Sequence, residues 1–175
     1  IALIEDNIIH ANISQAGGGG VFVGANAIVT LIGNQITNNK AGFGGGVFTE
    51  IESILIIENN LISHNSGGLE GGGIDVSGAI NTEIRHNQIM ANQATYGGGI
   101  HVLSHNQALI EANEIIDNTA TFGAGIYAQA DADISIQDNQ FANNLAQEQG
   151  GAIWVGKPSA SLLEEIETNI FDENL

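Results

Sequence analysis

Apolar residues in this chain fall into short alternating groups that return at a fixed spacing. The stretch Asn87 to Val102, NQIMANQATYGGGIHV, contains the repeating unit. Two asparagines stand five residues apart with Ile89 between them, and a glycine run then leads into Ile100-His101-Val102. In an extended strand Ile100 and Val102 face one way and His101 the other. The asparagine pairs recur as Asn7/Asn12, Asn34/Asn39, Asn60/Asn65, Asn87/Asn92, Asn113/Asn118, Asn139/Asn144 and Asn169/Asn174, their first members 27, 26, 27, 26, 26 and 30 residues apart.

Each period holds three apolar alternations separated by turn residues, a pattern that predicts strands rather than helices. The first follows the glycines and is anchored by Val21, Val47, Ile74, Ile100, Ile126 and Ile153. The second stands three residues before the first asparagine, at Leu31, Ile57, Ile84, Ile110, Ile136 and Ile166, usually with another apolar residue two earlier. The third lies inside the asparagine pair, at Ile9, Ile36, Ile62, Ile89, Ile115, Phe141 and Phe171. A period of this length predicts a solenoid, because no repeat can bury its apolar face alone and stacking does the burying. Three strands per coil predict an all-β parallel β-helix of six to seven coils, roughly 30 Å long at about 4.8 Å per coil.

Stacking puts like residues over like. An asparagine at a turn tolerates left-handed backbone and can bond to the same amide in the next coil, so the asparagine columns predict ladders. The glycines supply conformations closed to residues with a Cβ and let the chain turn into the first strand. Pro158, the only proline, falls in the longest turn, Gly156 to Ser161, which accounts for the 30-residue spacing.

Composition narrows the partners. Three basic residues against twenty acidic ones, a net charge of −17, exclude nucleic acid and anionic membrane surfaces, which need a positive footprint. Acidity is uneven, with two acidic residues among the first 49 and nine from Asp131 onward. The absence of cysteine removes disulfides and thiolate zinc sites. Few Lys and Arg with abundant Gly and Asn suit a bacterial surface or secreted solenoid. The chain shows no signal peptide, hydrophobic span or terminal cap, so residues 1–175 are expected to be one β-helix segment of a longer chain. Uncapped ends would otherwise meet other chains, end to end or laterally.

GGGV at 44–47, GGGI at 71–74 and 97–100, and GGAI at 150–153 alternate with elements such as FANN at 141–144. In this the chain resembles the polymorphic outer-membrane protein repeats, within the right-handed parallel β-helices of the pectate-lyase-like superfamily. The resemblance covers nearly the whole chain and implies a right-handed coil. It also implies that the outer face of the first sheet is where pectin-degrading relatives carry their active cleft.

On that face one residue past each anchor runs the column Phe22, Phe48, Asp75, His101, Tyr127, Trp154. Gly20, Gly46, Gly73, Gly99, Gly125 and Ala152 stand on the other side of the anchors, so the expected surface is a shallow strip of rings beside missing side chains. Aromatic faces at repeated spacing suit sugar rings or a protein partner. Phe43, Tyr96 and Phe122, four before their anchors, either extend the strip or pack on it.

Asp75 and His101 fall in adjacent coils, in register to act as acid and base. A lyase of this fold would also need a cation beside its substrate, and Arg85 is expected on another sheet between Glu58 and Glu111 in a surface ion-pair column. A glycosidase would need a second carboxylate, and Glu50 and Glu70 are near Asp75 only by register. The blocks that mark polygalacturonases and alginate epimerases are absent, as are long loops. The five histidines, His10, His64, His86, His101 and His105, do not share a register, and neither Asp131/Asp133 nor Glu164/Glu165/Glu167 matches a known calcium motif, so no metal or cofactor is expected. The reading is a non-enzymatic structural and adhesive module. Phe22, Phe48, Tyr127 and Trp154 serve as anchors and Asp75 and His101 as exposed polar contacts. Assembly into a fibre or complex is the alternative, and a polysaccharide lyase or hydrolase stands behind it.

Overall fold

The computed structural model describes residues 1–157 and 165–175 and forms a parallel β-solenoid. Pro158 and Glu164 lie outside the described residues. Six strands make the first sheet: Val21–Val23, Val47–Thr49, Ile74–Val76, Ile100–Val102, Ile126–Ala128 and Ile153–Val155. The second sheet has seven strands, from Ala2–Glu5 through Ala79–Arg85 to Glu165–Glu167. The third also has seven, from Ile8–His10 through Gln88–Met90 to Ile170–Asp172. Every pairing within these sheets is parallel and joins equivalent positions of successive coils, as in Ile74↔Ile100, Ile84↔Ile110 and Ile89↔Ile115.

The core is the bundle of apolar columns read from the pattern. Ile74, Ile100 and Ile126 from the first sheet, Ile57, Ile84 and Ile110 from the second, and Ile62, Ile89 and Ile115 from the third are fully buried. Such burial contributes about 1.5–3 kcal/mol per side chain.

Two asparagine ladders flank the third sheet. Asn92 shows the bonding. Its Oδ1 accepts the backbone N–H of Asn65 at 2.9 Å and the Asn65 Nδ2–H at 3.1 Å. Its own Nδ2 donates back to Ile62 O at 2.9 Å and forward to Asn118 Oδ1 at 3.1 Å. Each interior amide thus joins three coils and is saturated, which lets a polar column run buried through the stack.

The left-handed backbone lies one position earlier than the sequence implied. The residue before every ladder asparagine has positive φ, including His86 at 55°, Ala91 at 53° and Ala112 at 53°, whereas the ladder asparagines do not. A residue with a Cβ is strained there, and the saturated amide next to it over-determines the turn. The glycine three residues before each first-sheet anchor, such as Gly97 with φ 65°, is also left-handed.

A fourth, broken ladder has no counterpart in the apolar pattern. Lys40–Phe43 pairs with Ser66–Glu70, and Thr119–Phe122 with Leu145–Gln149. Bridges at Ser66↔Gln93, Glu70↔Tyr96, Gln93↔Thr119 and Tyr96↔Phe122 connect them. The segment between the second asparagine and the glycines is therefore extended. Its inward residue is small, Ala41, Gly67, Ala94 or Ala120, so it carries no apolar alternation to be read.

Other expectations are corrected. Arg85 bonds Glu58 at 3.5 Å and Glu83 at 2.9 Å, so its closer carboxylate comes from its own strand rather than from Glu111. Asp133 accepts a hydrogen bond from Gln107 Nε2 at 2.8 Å, while Glu165 and Glu167 are exposed. Among the described residues no helix is long and apolar enough to cross a membrane.

The ladder and the core give predictions of opposite sign. Asn92→Ala strips partners from the buried Asn65 N–H and Ile62 O, and is expected to cost about 2–5 kcal/mol in urea unfolding. Thr82 stands in an otherwise apolar column with a buried hydroxyl that has no partner. Thr82→Val is expected to stabilise by about 1 kcal/mol in the same assay.

Candidate functional site

The first sheet keeps the expected column in register, with pairings Phe22↔Phe48, Phe48↔Asp75, Asp75↔His101, His101↔Tyr127 and Tyr127↔Trp154. Its surface differs from the one read in the sequence. Phe22 is half exposed, and Phe48, Tyr127 and Trp154 are partly exposed. Asp75 and His101, expected as exposed contacts, are completely buried. The cause is the fourth ladder. It carries Glu70 and Tyr96 onto the middle of the sheet, where Glu70 meets the Asp75–His101 pair and Tyr96 meets Tyr127.

The glycine column does not form an open floor either. A Cβ on Gly46 would meet the Asn65 side chain at 3.2 Å, and one on Gly99 would meet Asn118 at 3.3 Å, so these positions turn toward the ladder and are buried. Side chains are missing there chiefly because a Cβ would strike the backbone of the next coil, at 2.5 Å from Gly73 O for Gly46 and 2.6 Å from Gly125 O for Gly99.

The rings form two groups. At one end Phe22 stacks on Phe48 with centroids 5.5 Å apart, and Phe43 leans on Phe48 at 6.5 Å. At the other, Tyr127 and Trp154 are parallel within 3° at 4.3 Å, and Tyr96 stacks on Phe122 at 5.5 Å while touching Tyr127 at 5.1 Å. Phe43 and Tyr96 therefore pack onto the column. The Trp154 indole N–H donates to Gln149 Oε1 at 3.1 Å. Beside the second group a groove of about 450 Å³ follows the fourth ladder, lined in part by Gln93, Thr95, Thr121 and Gln147.

Between the groups lies a polar cluster. His101 Nδ1 is 2.8 Å from Asp75 Oδ1, which also accepts the Ser77 hydroxyl at 2.6 Å. Gln129 Nε2 sits 3.3 Å from His101 Nε2, and Tyr127 stacks on the imidazole at 5.7 Å. A neutral ring that donates from Nδ1 to the carboxylate accepts at Nε2 from the Gln129 amide. One ligand atom each from Glu70, Asp75 and His101 lies within 4.8 Å of the other two, so this group is able to hold a metal. Burial raises the Glu70 carboxyl above the usual carboxylate range, His101 opposes that, and Asp75 adds to it. Burial likewise raises the Tyr127 hydroxyl, helped by Tyr96 and Glu70. The other four histidines are exposed and separate.

Sequence reasoning placed Asp75 beside His101 and put Glu70 near them by register, and the structure brings all three together. Reading histidine spacing alone missed the mixed cluster. The available signal was Glu70 itself, an acid directly before a glycine run where Gly17, Phe43, Tyr96, Phe122 and Gln149 stand at equivalent positions.

A parallel three-sheet solenoid with a ring-bearing first sheet defines the class. The family follows from the sequence: the model described as right handed beta helix region matches residues 20–174, and the chain belongs to that family. Its fold makes it a structural or surface-type domain. No curated protein and no solved structure matched the chain.

The Asp75–His101 pair predicts its own sensitivity. His101→Ala leaves a buried carboxylate with only Ser77 as partner and is expected to cost about 3–5 kcal/mol in chemical denaturation.

Proposed function

We propose that the chain is a rigid, non-enzymatic display module of a bacterial cell-surface or secreted protein, binding a glycan or protein through the rings of its first sheet. The observation that carries this reading is the group of Tyr96, Phe122, Tyr127 and Trp154. These four partly exposed rings are held at fixed spacing by the coils beneath them. Stacking fixes the rings in place, so their ordering cost is met on folding and little entropy is lost when their exposed apolar area is covered on binding. The adjoining groove adds amide and hydroxyl groups from Gln93, Thr95, Thr121 and Gln147, which suit sugar hydroxyls. Phe22 and Phe48 form a second, smaller patch two coils away.

Burial of Asp75 and His101 supports the non-enzymatic reading, since a general acid or base must come within hydrogen-bond reach of the substrate. Assembly with copies or other subunits would place a protein over the same rings, and the test separates the two.

The test is a glycan array followed by affinity measurement, with sedimentation in parallel. The native chain is expected to bind a glycan class, and Tyr127→Ala with Trp154→Ala is expected to weaken it about tenfold or more with the circular dichroism of the coil retained. Undiminished glycan binding by the double variant overturns the assignment. Self-association that the double variant abolishes, without glycan binding, replaces display with assembly.

A further inference from the structure

We propose that Glu70, Asp75 and His101 form a binding site for a divalent first-row transition metal of the Zn²⁺ class. The inference is independent of the display reading.

The first ground is an unmet bond. Asp75 is completely buried, and its Oδ1 is occupied by His101 Nδ1 and Ser77 Oγ, but its Oδ2 has no hydrogen-bond partner among the described residues. A buried carboxylate oxygen without a donor is costly and points to an ion or a water at that atom. The second ground is charge. Glu70 adds another carboxylate within 4.8 Å of the first, and its side chain makes no hydrogen bond among the described residues. Two carboxylates and one imidazole gathered this closely form a site whose negative charge a dication neutralises.

The donor set selects the metal class. One imidazole nitrogen and two carboxylate oxygens suit zinc and its first-row neighbours, whereas calcium and magnesium favour oxygen ligands alone and more of them. Ligand atoms about 2.0–2.1 Å from such an ion stand roughly 3.3 Å apart. The 2.8 Å hydrogen bond between His101 Nδ1 and Asp75 Oδ1 gives way, and the ion takes that nitrogen together with the unpartnered Oδ2. Glu70, at the end of its strand on the fourth ladder, supplies the third ligand and closes the remaining distance.

The surroundings hold the imidazole as a ligand needs to be held. Tyr127 covers one face of the ring, and Gln129 meets the far nitrogen. When the ion takes Nδ1, the ring proton resides on Nε2, and reversal of the Gln129 amide turns its donor into an acceptor. Ser104, whose hydroxyl bonds the Gln129 oxygen at 3.2 Å, can accept as well as donate and so permits that reversal. An outer partner of this kind fixes ring orientation and raises ligand basicity.

The experiment is isothermal titration of the chain with Zn²⁺, with bound metal counted after dialysis. The expected result is one Zn²⁺ per chain, affinity lowered about tenfold or more by Glu70→Gln, and no effect of His64→Gln, which removes an exposed histidine. His101→Gln is expected to abolish binding. If that variant does not fold, Glu70→Gln decides alone, because its side chain is only half-buried and makes no hydrogen bond. Failure of the native chain to bind Zn²⁺ overturns the proposal. Equal binding by native chain and Glu70→Gln also overturns it, because the ion then sits on surface groups.

Discussion

Everything in this molecule depends on a side-chain amide that can serve three coils at once. The Oδ1 of each ladder asparagine takes the backbone N–H and the side-chain N–H of the asparagine before it, and its Nδ2 bonds both backward and forward. A turn in a solenoid leaves backbone groups without partners, and burying them unpaired would cost more than the apolar columns return. The ladder meets those groups and fixes the height and rotation of each coil. The strain in left-handed residues such as Ala91 and Ala112 is tolerated only because the adjacent amide leaves the backbone no alternative. The buried glycines serve the same close stacking, since a side chain on Gly46 or Gly99 would collide with the backbone of the next coil.

From that constraint the first sheet acquires two characters. Where the fourth ladder carries small or aromatic residues, the column above it stays partly open and rings stack from coil to coil. Where it carries Glu70, the polar pair Asp75–His101 beneath is completely buried. The same register therefore yields a strip of partly exposed rings and, beside it, a buried polar cluster. Neither requires a loop, and both inherit their precision from stacking.

Most of the fold was legible because its signal is periodic. Leu31, Ile57, Ile84, Ile110 and Ile136 announce a column by recurring, and every pairing of the three main sheets follows from that recurrence. What was not legible lacks such a signal. The fourth ladder is built on Ala41, Gly67, Ala94 and Ala120, residues too small to stand out from their polar neighbours as an apolar stripe. Alternation correctly placed Asp75 and His101 on the outer face, but which segment crosses that face is decided by a turn that alternation does not describe. Arg85 shows the same limit at small scale: register put Glu58 and Glu111 beside it, while the closer contact, Glu83, comes along the strand.

The central claim is that the asparagine ladders, rather than the sheets alone, hold the coils in register. Hydrogen exchange of the ladder asparagines by NMR, followed at backbone and side-chain amides together, tests it most directly. If the ladders hold the stack, Asn87, Asn92, Asn113 and Asn118 exchange only through global unfolding, with backbone and side-chain protons protected alike. Side-chain amides that exchange as fast as those of exposed residues, while the neighbouring sheet amides stay protected, would contradict it.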